Sequence, residues 1–284
     1  MAGEAHAKTR EFEFTDRHFN LLRKLVAQQA GITLNDSKRE LVYGRITRRI
    51  RALRLRSFDD YCRLIESGDE DEMVEFVNAI TTNLTSFFRE NHHFEFLSQT
   101  AIPSFLKINE RSRRIRIWSA GCSTGEEPYS IAMTLLESVP NPSRWDMRIL
   151  ATDIDSNVVA TARAGLYGET RLQGITAARR KQWFLPPERA GGPSQVKPEV
   201  SELIRFAPLN LMQEWPFKGP FDAIFCRNVL IYFDKPTQQM LFQRFRKKTA
   251  EHGYLFIGHS ESMFGADIDY ELIGRTTYRI NRGR

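Results

Sequence analysis

Apolar residues recur at helical spacing along the first part of the chain. Phe19, Leu22 and Val26 fall on one face, and Thr15 or Asp16 stands where an N-cap belongs. Val42, Ile46, Ile50 and Leu53 make a second face. Ser37-Lys38-Arg39-Glu40 has the spacing of a capping box at its start, in which the Ser and Glu side chains satisfy exposed backbone donors. Residues 57–67 and 70–83 predict two further short helices, bordered by Ser57 and by Ser67-Gly68. Residues 1–12 read as a loose tail. The first domain, 1–85, is therefore expected to be all-helical, with 86–110 as a linker or lid.

The period then changes. Arg114–Ala120 predicts a strand, Pro128–Glu137 a helix, Met147–Ile154 a strand and Asn157–Ala164 a helix. Phe221–Cys226 is a short apolar run of the buried-strand type. Thr237–Ala250 predicts a helix, Tyr254–Gly258 a strand and Thr276–Ile280 a last one. Strands alternating with helices imply an α/β domain over 111–284, a parallel sheet with helices on both faces. Residues 170–205 break that rhythm. Pro186-Pro187 and Gly191-Gly192-Pro193 lie between Gln182–Leu185 and Leu203–Phe206. These predict an inserted antiparallel hairpin with a long loop, an irregular loop being the alternative.

At 284 residues, 41% of them hydrophobic and 27% charged, the chain can build a real core. No apolar run approaches the ~18 residues of a membrane span, and the N-terminus lacks a basic stretch followed by an apolar one. Three widely spaced cysteines, Cys62, Cys122 and Cys226, offer neither a disulfide framework nor metal-ligand spacing. A cytoplasmic protein without a metal is expected, and no interface stripe argues against a monomer.

The net charge of +6 is local. From Lys38 to Arg56 there are eight basic residues against one acid, Glu40, so this element carries +7 and the rest of the chain is close to neutral. On a continuous helix Lys38, Arg45, Arg49 and Arg56 would fall within about 40° of one another. Arg48, Arg51 and Arg54 extend the basic surface, which predicts a binding face for something acidic, a solvated helix face being the alternative.

Candidate chemistry sits at the strand ends. Ser119-Ala-Gly-Cys-Ser-Thr-Gly-Glu-Glu-Pro follows the first strand, and Gly121 and Gly125 let the backbone pass close to a ligand. Ser123 replaces the second glycine of a dinucleotide fingerprint, and no Gly-Lys-Ser/Thr follows, so neither that motif nor a P-loop is present. Glu126 and Glu127 open the helix. They suit its dipole, and they would repel a pyrophosphate, so a cationic or ribose-bearing ligand fits better. The second strand ends in Thr152-Asp153-Ile154-Asp155. An acid there accepts ribose hydroxyls in doubly wound sheets, which favours Asp153 as a ligand group and leaves Asp155 to cap the next helix. Phe221–Phe233 runs an apolar strand into Arg227-Asn228 and Tyr232. Thr81–Arg89 clusters threonines, Asn83 and Ser86 around Phe87-Phe88, a boundary loop or a lid over a cofactor.

Five stretches together resemble the chemotaxis receptor methyltransferases, the CheR-type protein-glutamate O-methyltransferase family. They are Thr81–Arg89, Trp118–Ser130 (WSAGCSTGEEPYS), Ala151–Asp155 (ATDID), Phe221–Asp234 (FDAIFCRNVLIYFD) and Gly258–Ser262 (GHSES), in matching order over about residues 12 to 282. The resemblance implies an all-α N-terminal domain, then a Rossmann-like domain that binds S-adenosylmethionine and carries a small antiparallel β-subdomain. It implies cofactor contacts at Asn83, Thr85, Arg89, Glu127, Asp153, Asn210, Leu211, Asn228 and Val229, beside the glycine loop at Gly121. The implied product is a glutamyl γ-methyl ester on the cytoplasmic helices of a chemoreceptor. The carboxylate attacks the sulfonium methyl in line, and no general base is needed because a glutamate is already ionised near neutral pH. Arg89 and Tyr232 are the candidates for orienting the reactants. Arg45, Arg48, Arg49 and Arg51 are the candidates for meeting acidic receptor helices. The charge also permits a nucleic-acid methyltransferase, but the basic residues keep to one helix and no Asn-Pro-Pro-Tyr-like signature is present. A cofactor-binding sensor without catalysis is the alternative from another class.

Overall fold

The computed structural model describes residues 10–263 and 269–281. Most of the expected N-terminal tail, residues 1–9, lies outside them. The chain divides into two compact units, Met1–Thr81 and Thr82–Arg284.

The first unit is helical: α1 (Asp16–Ala30), α2 (Arg39–Ala52), α3 (Phe58–Glu66) and α4 (Glu70–Ile80). Thr15 caps α1, and His18 completes a capping box in the place where Glu is usual. Phe19, Leu22, Val26, Val42, Ile46, Ile50, Phe58, Tyr61 and Phe76 are buried, so the helical periods face one core. Two expectations fail here. Ser37 makes no capping box. Its hydroxyl donates to Asn35 Oδ1 at 2.6 Å, and Asp36–Lys38 is a 3-10 turn leading into α2. The helix also stops at Ala52, with Arg54 at φ 56, so Leu53 is exposed and the stripe from Lys38 to Arg56 is cut at both ends.

The basic residues of α2 are largely tied within this unit. Arg45 donates to the carbonyls of Ala79, Ile80 and Thr81, the open end of α4. Arg49 forks onto Glu72, with Nε 3.0 Å from Oε1, and reaches Glu75 at 3.2 Å. Tyr61 donates to the same Glu72 at 2.7 Å. Arg51 pairs with Glu11. Arg48 is exposed and bonds Gly44 O of its own helix at 3.4 Å. Arg49→Ala would leave Glu72, 5% exposed, without its cation. It should cost this unit about 2–3 kcal/mol, read from the far-ultraviolet circular-dichroism transition in urea. An unchanged midpoint would show that the pair contributes nothing.

The second unit is built on a seven-stranded sheet. Its strands are β1 (Arg114–Ala120), β2 (Asp146–Asp153), β6 (Ile204–Pro208), β7 (Phe221–Cys226), β8 (Thr249–Ile257), β9 (Tyr270–Gly274) and β10 (Thr277–Ile280), in the order β6-β2-β1-β7-β8-β10-β9. The first five run parallel. β10 and β9 are antiparallel additions, so the sheet is mixed, not wholly parallel. Every residue of β7 is buried, which is why it reads as an apolar run, interrupted by Asp222 alone. The main helices are α7 (Glu126–Ser138), α8 (Ser156–Ala164) and α11 (Lys235–Lys248), with the short α9 (Ala177–Trp183) and α10 (Pro198–Ser201) between the last two. The order of strands reverses between β1 and β7, which creates a crevice at their carboxyl ends.

A second sheet, β3-β5-β4, is antiparallel: β3 (Leu166–Tyr167), β4 (Phe184–Leu185) and β5 (Ser194–Val196). The hairpin expected over 170–205 is therefore only half right. Phe184-Leu185 pairs with β5, across the Pro/Gly-rich loop. Leu203–Phe206 instead feeds β6, which joins the main sheet with Ile149 opposite Ile204 and Asp153 opposite Pro208.

Residues 86–110, read as a linker or lid, are built into this unit. His92–Phe96 (α5), a π-turn at Leu97–Ala101 and Ile102–Ile108 (α6) form one run, with Phe94, Leu97, Ile102 and Phe105 in the core. Phe87 packs edge-on against Tyr167 and Phe184, at 4.9 and 5.7 Å between ring centroids, and the Phe88 ring lies 4.2 Å from the Arg179 guanidinium.

Candidate active site

The crevice is walled by the turns that leave β1, β2 and β7. Gly121 has φ 122, and a Cβ there would lie 2.3 Å from Val229 Cγ2. Only glycine lets the β1 turn pass this close to the β7 turn. Ser123, at φ 48, donates its N–H to Asp153 Oδ2 at 2.8 Å and its hydroxyl to Asn83 O at 3.0 Å. Asn83 in turn donates to Asp155 Oδ2 at 2.7 Å. Asp155 also caps α8 through the N–H groups of Asn157 and Val158, the role read for it from sequence. Asp153 Oδ1 accepts the Asp155 N–H at 3.1 Å, and Leu209 N–H bonds Asp153 O at 2.8 Å. That last bond brings the Asn210-Leu211 stretch to the end of β2. Asn210 Oδ1 turns back onto Met212 N at 2.9 Å, while the Leu211 side chain is buried with Trp215. Burial pushes the Asp153 carboxyl up to about 6, against the pull of its backbone donors.

The two acids that open α7 divide their work. Glu126 is fully buried and paired with Arg171, which follows β3. It is therefore no ligand group. Glu127 accepts the Ser119 hydroxyl at 2.7 Å and Arg227 Nη1 at 3.0 Å. Burial drives its carboxyl up, and Arg227 opposes that. The Arg227 side chain, 2% exposed, also lies 3.3 Å from Glu90 Oε2 and donates to the Arg89 carbonyl. Burial acts to raise the Glu90 carboxyl, but the His259 hydrogen bond and the Arg227 charge outweigh it and hold it down at about 2. Glu90 Oε1 is 3.0 Å from His259 Nδ1 and 3.4 Å from Asn228 Nδ2.

Arg89 is half-buried, and its guanidinium donates to Leu84 O at 2.7 Å. Tyr232 is half-buried, with its hydroxyl 3.3 Å from Thr82 O. Thr85 lies between Asn83 and the Phe87 anchor, half-buried. Asn83 and Asp153 thus share Ser123, and Gly121 meets Val229. Asn210 follows Leu209 in the chain and Asn228 precedes Val229, the residues that make such contacts. Glu127 and the Arg89 backbone meet on Arg227. Arg45, Arg48, Arg49 and Arg51 belong to the helical unit. Ser123, Glu90, Arg227 and Glu261 are additions that the sequence did not single out as site residues. Arg227 was visible at a strand end. Glu261 lay within the GHSES stretch but with no role read for it, and Glu90 gave no signal, because their partners lie 33 and 138 residues away.

Glu90, His92 and His93 bring three ligand-type atoms within 4.8 Å of one another. A cation there would sit against the Arg227 guanidinium, and we assign the cluster no metal. The crevice itself pairs a glycine turn with two buried carboxylates, Asp153 and Glu127. Those acceptors suit a ligand bearing hydroxyl groups and positive charge, as S-adenosylmethionine does.

Residues 83–279 match the family domain described as "CheR methyltransferase, SAM binding domain", and residues 17–81 match "CheR methyltransferase, all-alpha domain". A "Probable chemotaxis protein methyltransferase" of Rhizobium etli is 49% identical over 258 residues, covering 90% of this chain and 96% of the relative. A "Chemotaxis protein methyltransferase" of Escherichia coli K12 is 42% identical over 281 residues, covering 96% and 94%. One from Klebsiella aerogenes is 43% identical over 274 residues, covering 94% and 91%. Among the described residues no helix is long and apolar enough to cross a membrane. The reversal of strand order beside Asp153 and Glu127 thus lies inside a matched S-adenosylmethionine-binding domain, the all-α unit before it matches as well, and the chain belongs to the CheR methyltransferase family.

Proposed function

We propose that this protein methylates glutamate side chains on the cytoplasmic helices of chemotaxis receptors, forming glutamyl γ-methyl esters. The observation that carries the reading is the match of both family domains, in order, over most of the chain. When bound, S-adenosylmethionine supplies a methyl group made electrophilic by its sulfonium. Asp153 is assigned to the ribose hydroxyls and Glu127 to the positively charged part of the cofactor. Asn83, Thr85, Arg89, Gly121, Asn210, Leu211, Asn228 and Val229 complete the proposed contacts. Arg89 and Tyr232, at the edge of the crevice, are assigned to orienting the substrate carboxylate. That carboxylate arrives ionised, so the protein's task is to hold it at attack distance and exclude water, without a base.

The test is calorimetry with S-adenosylhomocysteine, followed by transfer of labelled methyl to a receptor cytoplasmic fragment. Binding, and label released as methanol by mild alkali, are expected. Alkali-stable label would overturn the ester product, and no binding by folded protein would overturn the cofactor assignment.

The receptor-facing role of α2 is a proposal that the internal pairing of Arg45, Arg49 and Arg51 narrows. Of these four, Arg48 is the one whose charge can be reversed without breaking an ion pair or a bond to another helix seen among the described residues. Arg48→Glu should lower receptor kcat/KM about 2- to 5-fold at low salt, with an unchanged urea midpoint and unchanged S-adenosylhomocysteine affinity. Equal rates for wild type and variant at low salt would remove Arg48 from the receptor surface.

A further inference from the structure

The Gly258–Ser262 stretch, GHSES, has no task in the scheme above. Its geometry gives it one. β8 ends at Ile257, and the chain closes a turn in which Glu261 N–H bonds Gly258 O at 2.9 Å. The turn aims the Glu261 side chain back at the loop leaving β7. Glu261 is buried. Its Oε2 accepts the N–H of Asn228 at 3.0 Å and of Gly258 at 2.6 Å, and its Oε1 accepts the N–H of Ile231 at 3.2 Å. One carboxylate thus ties two points of the β7 loop to the end of β8.

The tied loop is also closely packed at Asn228. Asn228 holds φ 59, in the left-handed region, which asparagine adopts more readily than other non-glycine residues but still less readily than the right-handed one. Gly258 presses on the same residue. A Cβ there would stand 2.4 Å from Asn228 Nδ2 and 2.8 Å from its backbone nitrogen. Val229 follows directly, against Gly121, and Tyr232 closes the segment. A shift of the loop therefore moves three assigned site residues together.

We propose that Glu261 is a positioning residue for methyl transfer, its carboxylate holding the Asn228–Tyr232 loop in the geometry that receives cofactor and substrate. The inference rests on the assignment of Asn228, Val229 and Tyr232 to that site.

The experiment uses the full chain and four proteins: wild type, Asn228→Ala, Glu261→Gln and Gly258→Ala. S-adenosylhomocysteine affinity is measured by calorimetry, and kcat and KM with a receptor fragment, at a temperature where each protein is folded by tryptophan fluorescence. Glu261→Gln places an amide N–H₂ against at least one loop N–H. It should weaken cofactor affinity about tenfold. It should also lower kcat about 100-fold at saturating substrates, as a misplaced site does. Gly258→Ala displaces Asn228 while leaving the carboxylate in place, and should give the same signature of lowered kcat. A merely structural glutamate would lower the unfolding midpoint and leave kcat of the folded protein unchanged. Wild-type affinity and kcat in folded Glu261→Gln would overturn the proposal. Should that variant not fold, wild-type kinetics in Gly258→Ala would do so. If Asn228→Ala is itself indistinguishable from wild type, the loop is no part of the site and the parent assignment falls, a different failure from that of Glu261.

Discussion

Arg227→Ala is expected to destabilise the methyltransferase unit by about 3–5 kcal/mol, the cost of breaking a buried ion pair from one side. The side chain is 2% exposed and lies between Glu127 and Glu90, each 10% exposed. Its removal leaves two enclosed carboxylates facing each other with no cation between them. The guanidinium also lies 5.5 Å from the Phe94 ring, so packing is lost with the charge. The measurement is selective. Trp118, Trp145, Trp183 and Trp215 are the four tryptophans of the chain, and all fall in the Thr82–Arg284 unit. Tryptophan fluorescence in urea therefore follows that unit alone. Its midpoint should fall sharply for Arg227→Ala and less for Arg227→Lys, which keeps the charge and loses the fork. A shift below about 1 kcal/mol would mean that the carboxylates find other partners or accept protons at little cost. Acidity gives a second reading. Glu90 is held at about 2 against an ordinary 4.5, so its contribution to stability is present above 4.5 and is lost as the pH falls toward 2. That acid-labile part should be smaller in Arg227→Ala.

Asp153→Asn is expected to weaken S-adenosylhomocysteine binding about 10- to 100-fold, the range for hydrogen bonds to a charged acceptor. The wild-type pH profile follows from the same carboxyl. Burial raises it to about 6, so below that pH it carries a proton and cannot accept from ribose hydroxyls with full charge. Affinity should therefore climb as the pH rises through 6 and level off by about 7. The Asp153→Asn profile should be flat over that window. Stability runs the other way. A carboxyl whose folded value lies above its ordinary 3.8 contributes most when protonated, and that contribution is lost as the pH rises from 3.8 through 6. The fold thus bears a buried negative charge at neutral pH, which is the form the proposed ribose contact requires. A pH-independent wild-type affinity between 5 and 8 would sink this role for Asp153, as would wild-type affinity in Asp153→Asn.

Local patterns carried much of the second unit. β7 spans Phe221–Cys226 as its apolar run predicts, and β1 spans Arg114–Ala120. Both are written in consecutive side chains: β7 is buried throughout and almost wholly apolar, while β1 alternates Arg114 and Arg116 with the buried Ile115 and Ile117. The turns after β1 and β2 were equally legible, since a glycine with positive φ and an acid at a strand end are local requirements. The 92–108 helix was not read, although Phe94, Leu97, Ala101, Ile102 and Phe105 keep a helical spacing. Pro103 argues against a helix there. The π-turn at Leu97–Ala101 widens the backbone just before it, and the helix continues.

The sequence alone thus specified most of the main-sheet strands and their helices, the turns at the crevice and the family resemblance. These depend on neighbours within about one turn of helix or a few strand positions. The tertiary structure alone decided that β6 joins β2, that Arg49 serves Glu72, that Arg227 bridges Glu127 and Glu90, and that Glu261 holds Asn228. Arg227 and Glu127 are 100 residues apart, and no spacing announces their bond. A buried charge must find an opposite charge wherever the fold places one, and only the packed sheet brings those groups within 3 Å of each other.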